Sequence, residues 1–125
     1  MRFLAIVLVA FFLAGCSHKT VQPPVSYREQ IQPILNAQCV QCHNAELSRG
    51  RIMLQSYEDV MKSRTYPGKK PLVVAPEPAK SWLYIVCATD QPHYRMPPDT
   101  STVVALPQDQ LKLLARWIEE GAKQN

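Results

Sequence analysis

The apolar positions of the chain form one continuous run at its start and two helical patterns further on. The run covers residues 3–14 and is too short to cross a bilayer, which takes about 20 residues. The first helical pattern has the spacing i, i+4, i+7 and i+8, namely Tyr27, Ile31, Ile34 and Leu35. The second has the spacing i, i+3, i+4, i+7 and i+11, namely Leu111, Leu114, Ala115, Ile118 and Ala122. We predict a first and a last helix that pack against each other.

The residues that flank these patterns predict where the two helices begin and end. Ser26, with Glu29 three residues later, has the form of a capping box. Pro33 should kink or restart the first helix because its ring interferes with the preceding turn. Pro107 suits the first turn of the last helix, and Gly121 suits its end.

The middle of the chain has a weaker pattern. Residues 56–61 predict a short helical turn, and residues 64–80, which are rich in Pro, Gly and Lys, predict a loop. Residues 81–88 fit either a short helix capped by Ser81 or a strand. In the last helix, the amphipathic Trp117 is expected at the edge of the buried stripe. With 125 residues, 11 prolines and 4 glycines, the chain suits one small, mostly α, loop-rich domain.

The start of the chain has the form of an export signal. A charged residue, an apolar stretch and a small-residue ending are the parts of a signal peptide. The ending at residues 13–16, L-A-G-C, resembles a bacterial lipobox, which implies removal of residues 1–15 and a lipid on Cys16. The alternative is an ordinary secretory signal that leaves Cys16 as a free thiol. With the lipid on Cys16, residues 16–26 would be the lipidated N-terminus and a tether on the periplasmic side of the envelope. Ser17 favours the outer membrane.

One motif carries candidate chemistry. Cys39, Cys42 and His43 form a C-x-x-C-H run, which is the attachment site of c-type haem. Two thiols at this spacing can each join one vinyl group of haem, and the histidine supplies the proximal ligand of the iron. The alternatives are a thioredoxin-like dithiol, which needs a βαβ pattern, and half of a zinc site, which needs a second ligand pair. The sequence shows neither companion pattern, so we predict one covalent haem c.

The second axial ligand of the iron has two candidates. Met96 stands in a segment without a helical pattern, and the two prolines that follow stiffen the backbone that would hold its thioether. His93, three residues earlier, is the rival and would give two imidazole ligands. We predict that His43 and Met96 are the axial ligands and that His93 lies at the surface.

Two further residues are left open by the motifs. Cys87 is the cysteine that neither lipid nor haem would use, and the apolar residues before it favour burial over a disulfide between molecules. Arg95 is a candidate partner for a haem propionate, since a guanidinium group matches a carboxylate geometrically. The net charge of +4 comes from 14 basic and 10 acidic residues scattered along the chain. That scatter does not indicate a nucleic-acid partner.

Taken together, the motifs resemble the planctomycete-type cytochrome c domain, a monohaem module. The segments that carry the resemblance follow the family's order: IQPIL at 31–35, CVQCH at 39–43, MLQSY at 53–57, SWLY at 81–84, MPP at 96–98 and WIEEGA at 117–122. The resemblance implies a class I-like cytochrome c fold over residues 27–125, with the haem iron between His43 and Met96. The glycines that the family often has before the P-x-x-S stretch and after the short middle helix are absent here.

The function that follows is that of a lipid-anchored monohaem cytochrome c. It would carry single electrons between periplasmic or membrane redox partner proteins, and the sequence shows no catalytic grouping of its own. One alternative is an electron-transfer subunit of a larger oxidoreductase complex. Another is a haem sensor or peroxidase-like protein with an open sixth position.

Overall fold

The computed structural model describes residues 22–125. The predicted signal peptide at 1–15 and the predicted lipid site at Cys16 lie outside the described residues. Four α-helices occur in the described part: α1 (Gln32–Gln38), α2 (Tyr57–Lys62), α3 (Trp82–Ala88) and α4 (Gln108–Glu119). Within this part there is no strand, only an isolated bridge between Arg64 and Pro71. The prediction of a mostly α, loop-rich fold is confirmed.

The first helix begins with a π-helical turn, Tyr27–Ile31, that leads directly into α1. The oxygen of Ser26 accepts from the backbone N–H of Glu29 at 3.2 Å, as a capping serine should. In a capping box, the side chain of Glu29 would in return accept from the Ser26 N–H. Here Oε1 of Gln30 accepts from that N–H instead, at 2.9 Å. Pro33 lies in the first turn of α1, where the restart of the helix tolerates it.

The ambiguous segment at residues 81–88 is a helix. Ser81 occupies the N-terminal cap position of α3, but its hydroxyl does not cap the helix. Instead, Oγ accepts from the Val74 N–H at 2.8 Å and lies within hydrogen-bond distance of the carbonyls of Val74 and Glu77. Ser81 is completely buried, so this hydroxyl ties the preceding loop to the start of α3.

The main core is formed by residues of all four α-helices, of the π-helical turn and of the loops between them. Its buried members are Val25, Tyr27, Ile31, Leu35, Leu54, Val60, Leu72, Val73, Leu83, Leu114, Trp117, Ile118 and Ala122. The expectation that Trp117 would lie at the edge of the buried stripe is wrong, since only 1% of it is exposed. Its ring packs on that of Tyr27, with centroids 5.3 Å apart, and Nε1 donates to the Lys123 carbonyl at 3.0 Å. That internal acceptor allows the indole to be buried.

Residues at the two ends of the described chain are bonded together. The Val25 N–H donates to Oε2 of Glu120 at 2.6 Å, and the Arg28 N–H donates to the Asn125 carbonyl at 3.1 Å. Arg116 donates to both Glu120 and Gln22. These bonds, here called the terminal clasp, hold the segment before the π-helical turn against the C-terminal end of α4.

Among residues 22–125, no helix is both long enough and apolar enough to span a membrane.

Candidate haem site

The C-x-x-C-H run is held in a compact turn at the end of α1. The Cys39 N–H donates to the Leu35 carbonyl at 2.9 Å, which continues the helix by one residue. The N–H groups of Cys42 and His43 then both donate to the Cys39 carbonyl at 3.0 Å. These bonds fix the backbone from which the two thiols and the imidazole project.

The loop after the motif orients the imidazole of His43. Its Nδ1 lies 3.0 Å from the carbonyl oxygen of Arg49, and its own carbonyl accepts from the Leu54 N–H at 2.9 Å. When Nδ1 donates to this carbonyl, Nε2 keeps its lone pair and can bind a metal. The loop reaches this position through a left-handed backbone at Gly50, whose φ is +64°.

Burial controls the protonation of the site. Desolvation holds the pKa of His43 below its ordinary value, so the imidazole is neutral, as an iron ligand must be. Burial, with a smaller effect of Cys42, raises the pKa of Cys39 to about 11. The Cys39 thiol is therefore protonated at neutral pH and unreactive as a nucleophile by itself.

Met96 is brought to the site by α3. The Met96 N–H donates to the Val86 carbonyl at 2.7 Å, which attaches the loop to the last turn of that helix. The loop also folds on itself, because the N–H groups of Tyr94 and Arg95 both donate to the Gln91 carbonyl at 3.0 Å. The backbone of Met96 is therefore held in place by a bond to α3.

Three adjoining clefts lie between the motif and Met96. The second, with a volume of about 340 Å³, is within the usual range of ligand sites, roughly 300–1,000 Å³, and the smaller first and third clefts, of about 40 and 90 Å³, adjoin it. His43 and Met96 line all three. Cys39 and Cys42 both line the first cleft. Of these two residues, Cys42 also lines the second cleft, and Cys39 also lines the third. The four residues predicted to hold haem thus surround the same space.

The walls of this space suit a large apolar ring. The third cleft is lined mainly by apolar side chains, among them Ile52, Leu54, Leu72, Trp82, Leu83 and Val86. The second cleft opens outward and is the polar one, with Arg49, Thr65, Tyr66, Thr100 and Ser101 on its walls. An apolar interior with a polar mouth fits a porphyrin whose propionates face solvent. The donor set, with two thiols, one imidazole and one thioether, fits the attachment and ligation of a c-type haem.

The remaining candidates of the sequence occupy different positions. His93 is exposed and lines none of the three clefts. Arg95 also lines none of them and forms an ion pair with Asp99, four residues along the chain. Cys87 is buried, as expected, and lines the first and third clefts beside Cys39. Burial raises the pKa of the Cys87 thiol to about 12, which suits a small apolar wall residue.

A zinc site gains no support from the described part of the chain. Residues 22–125 contain no group of three or more His, Cys, Asp or Glu side chains placed to hold a metal ion.

Sequence reasoning missed two groups that build the site. The Arg49 carbonyl orients His43, and the Val86 carbonyl anchors Met96. Both are backbone groups, which every residue has, so no residue type signals them. The sequence indicates that Cys87 is buried, but its place beside Cys39 in the walls of the clefts is seen only in the folded chain.

The fold, a small helical domain that closes around a C-x-x-C-H run, is consistent with that of a c-type cytochrome. Residues 39–100 match a family model described as Planctomycete cytochrome C. This segment, about half of the chain, is therefore similar to the planctomycete cytochrome C family, as the motifs indicated, and that family implies covalently bound haem and electron transfer. Helices α1 and α4 lie outside the matched residues. Comparisons with curated proteins and with solved structures gave no significant match.

Proposed function

We propose that this protein is a lipid-anchored monohaem cytochrome c that carries single electrons between redox partner proteins. The observation that carries the proposal is the arrangement of Cys39, Cys42, His43 and Met96 around one space with apolar walls. The L-A-G-C sequence at residues 13–16 supports a lipid anchor on Cys16 on the periplasmic side of the envelope, and Ser17 favours the outer membrane.

Each residue of the site has a defined task in this proposal. Cys39 and Cys42 hold one haem through thioethers. His43 offers Nε2 to the iron because its Nδ1 is occupied by the Arg49 carbonyl. Met96 offers its thioether from the loop that the Val86 carbonyl anchors. A c-type haem, when bound, supplies one-electron redox chemistry at its iron.

The apolar walls support electron transfer in a second way. Side chains such as Leu54 and Leu83 are almost completely buried and exclude water from the space beside His43. A site shielded in this way favours small structural changes between redox states, and burial and the thioether ligand both raise the reduction potential. The protein would therefore need no acid, base or nucleophile to perform its task.

The experiment is a redox titration of the full chain, produced in a bacterial host that assembles c-type cytochromes. We expect a reduced spectrum of the c type and a reversible transition that fits a single one-electron centre. The double variant Cys39→Ala, Cys42→Ala, made in the same host, should lack covalent haem and serves as the control. A native chain that cannot be reduced and reoxidised reversibly would contradict the proposal.

A further inference from the structure

Five exposed basic side chains lie together at one side of the molecule. They are Arg49, Arg51, Lys62, Arg64 and Lys69, here called the basic face. Of the 14 basic residues in the chain, five lie here, whereas Asp59 alone of the 10 acidic residues lines the same region. The basic face therefore carries the equivalent of the whole net charge of +4.

The basic face adjoins the mouth of the candidate haem site. Arg49 and Tyr66 line the outward-opening second cleft together with His43 and Met96. The other four basic side chains line a groove of about 390 Å³ that shares Thr65 and Tyr66 with that cleft. The groove and the mouth are thus one continuous concave surface.

The charges of the basic face are not neutralised within the described part of the chain. The ion pairs among residues 22–125 are Lys80 with Glu77, Arg95 with Asp99, and Arg116 with Glu120. None of them involves the basic face. Arg51 instead stacks on the ring of Tyr66 at 4.4 Å, and Tyr66 is 63% exposed. An exposed aromatic ring beside arginines is a common composition of protein interfaces.

The basic face does not coincide with the point where the preceding chain enters the domain. Gln22 and Val25 line a separate cleft beside Trp117 and Glu120, in the terminal clasp. That cleft has no lining residue in common with the groove or with the three clefts of the candidate haem site. The chain that precedes the domain therefore joins it at a cleft different from the groove of the basic face.

We infer that the basic face is the docking site for an acidic, protruding segment of a redox partner protein. This inference rests on the proposed function and names the chemistry of the partner. Positive charge around the mouth attracts an acidic partner over a distance of about 8–10 Å and orients it toward the edge of the haem. The concave shape suits a protruding protein segment better than the flat surface of a membrane.

The test measures the rate at which the reduced full-length holoprotein is oxidised by a small acidic blue-copper protein. The variant carries Lys62→Glu and Lys69→Glu, two exposed lysines whose side chains make no hydrogen bond within residues 22–125. The matched control carries Arg28→Glu and Lys112→Glu, which are exposed, change the net charge equally and line none of the clefts described above. We expect the bimolecular rate constant to fall about 10-fold in the variant at low ionic strength and little in the control.

Added salt should lower the rate of the native protein and bring native and variant rates together, because it screens exposed charges. Equal rates for variant and control would overturn the inference. The membrane is tested by repeating the measurement with the anchored proteins in vesicles of phosphatidylcholine, with and without phosphatidylglycerol. If anionic lipid lowers the oxidation rate of the native protein and of the control, but not that of the variant, the basic face binds the membrane. That result would also overturn the inference.

Failure of the docking site and failure of the proposed function give different results. A chain without covalent haem shows no reduced spectrum to follow, which contradicts the proposed function itself. A chain that is reduced and reoxidised normally, but whose rate ignores the charge of the basic face, contradicts only the docking site.

Discussion

At the residue scale, Met96 is the side chain on which the proposed ligation most depends. It lines all three clefts, whereas His93 lines none. Met96→Ala is expected to abolish the weak sulfur-to-iron absorption band of ferric haem and to let the reduced protein bind carbon monoxide. The absorption spectrum with and without carbon monoxide checks both effects.

Two control variants make the Met96 experiment specific. Met53→Ala removes a methionine that lines none of the three clefts, and it should keep the band. His93→Ala should keep it as well. Loss of the band in His93→Ala, or its survival in Met96→Ala, would place the second axial ligand elsewhere.

Ser81 is the most completely satisfied buried hydroxyl of the domain. Its Oγ accepts from the Val74 N–H and has two backbone carbonyls within hydrogen-bond distance of its single hydrogen, while none of the residue is exposed. Ser81→Ala leaves the Val74 N–H without this acceptor, so we expect the free energy of unfolding to fall by about 1–3 kcal/mol. Urea unfolding of the holoprotein measures it, with Thr102→Ala, which removes an exposed hydroxyl, as the control. Equal stability of both variants would show that the Ser81 hydroxyl is not needed.

Residue patterns predicted side chains better than backbone groups. The C-x-x-C-H spacing and the M-P-P segment identified four residues that the fold brings around one space. The carbonyls of Arg49 and Val86 could not be predicted, because their role follows from the path of a loop and not from residue type. The left-handed backbone at Gly50, which shapes one of these loops, has only a glycine as its sequence signal.

At the element scale, the terminal clasp joins the start of the described chain to α4. Glu120 accepts from the Val25 N–H at 2.6 Å and from Arg116 at 2.7 Å. The Val25 N–H, followed by the Arg116 guanidinium, holds the pKa of the Glu120 carboxyl below its ordinary value. Because the pKa is lower in the folded state, the ionised carboxylate stabilises the fold at a pH above its ordinary pKa, about 4.3. This stabilisation is lost as the pH falls through the lowered pKa of the folded state.

Glu120→Gln should therefore reduce the free energy of unfolding near neutral pH by about 0.5–1 kcal/mol, a small effect because the group is partly exposed. The difference from the native protein should vanish near pH 2, where both side chains are uncharged. Urea unfolding at the two pH values measures it, and the exposed Glu119→Gln is the control. A deficit of the same size at both pH values would contradict a role for the carboxylate charge.

The elements that the sequence predicted well are those with long apolar patterns. The pattern that begins at Leu111 identified α4, because successive turns of one helix present a consistent buried stripe. The short segment at α3 could not be assigned, since seven residues fit helix and strand equally. Trp117 was expected at the edge of the stripe because the sequence does not show that the Lys123 carbonyl would satisfy its N–H inside the core.

At the scale of the whole molecule, the proposed lipid anchor and the proposed docking site occupy different regions. The chain enters the domain at the terminal clasp, and the basic face lies at the mouth of the candidate haem site. The five basic residues of this face come from one segment, residues 49–69 between α1 and α3, which the fold arranges along one concave surface. The sequence count of charges could not show this, because it depends on which residues the fold brings together.

The anchor itself is tested by Cys16→Ser in the full chain. Without the sulfur there is no thioether to lipid, so the N-terminal peptide of the purified variant should lack acyl groups that the native peptide carries. Mass spectrometry of that peptide measures this, with Cys87→Ser as the control, which should retain the lipid. A native N-terminal peptide without acyl groups would contradict the anchor but not the haem.

The central claim is that Cys39 and Cys42 hold a haem. Mass spectrometry of the peptide that contains both cysteines, taken from the full chain matured in a host that assembles c-type cytochromes, tests it most directly. The account predicts that this peptide carries one haem through both sulfurs and that neither thiol reacts with an alkylating reagent. A peptide without haem, whose two thiols are both alkylated, would contradict the account.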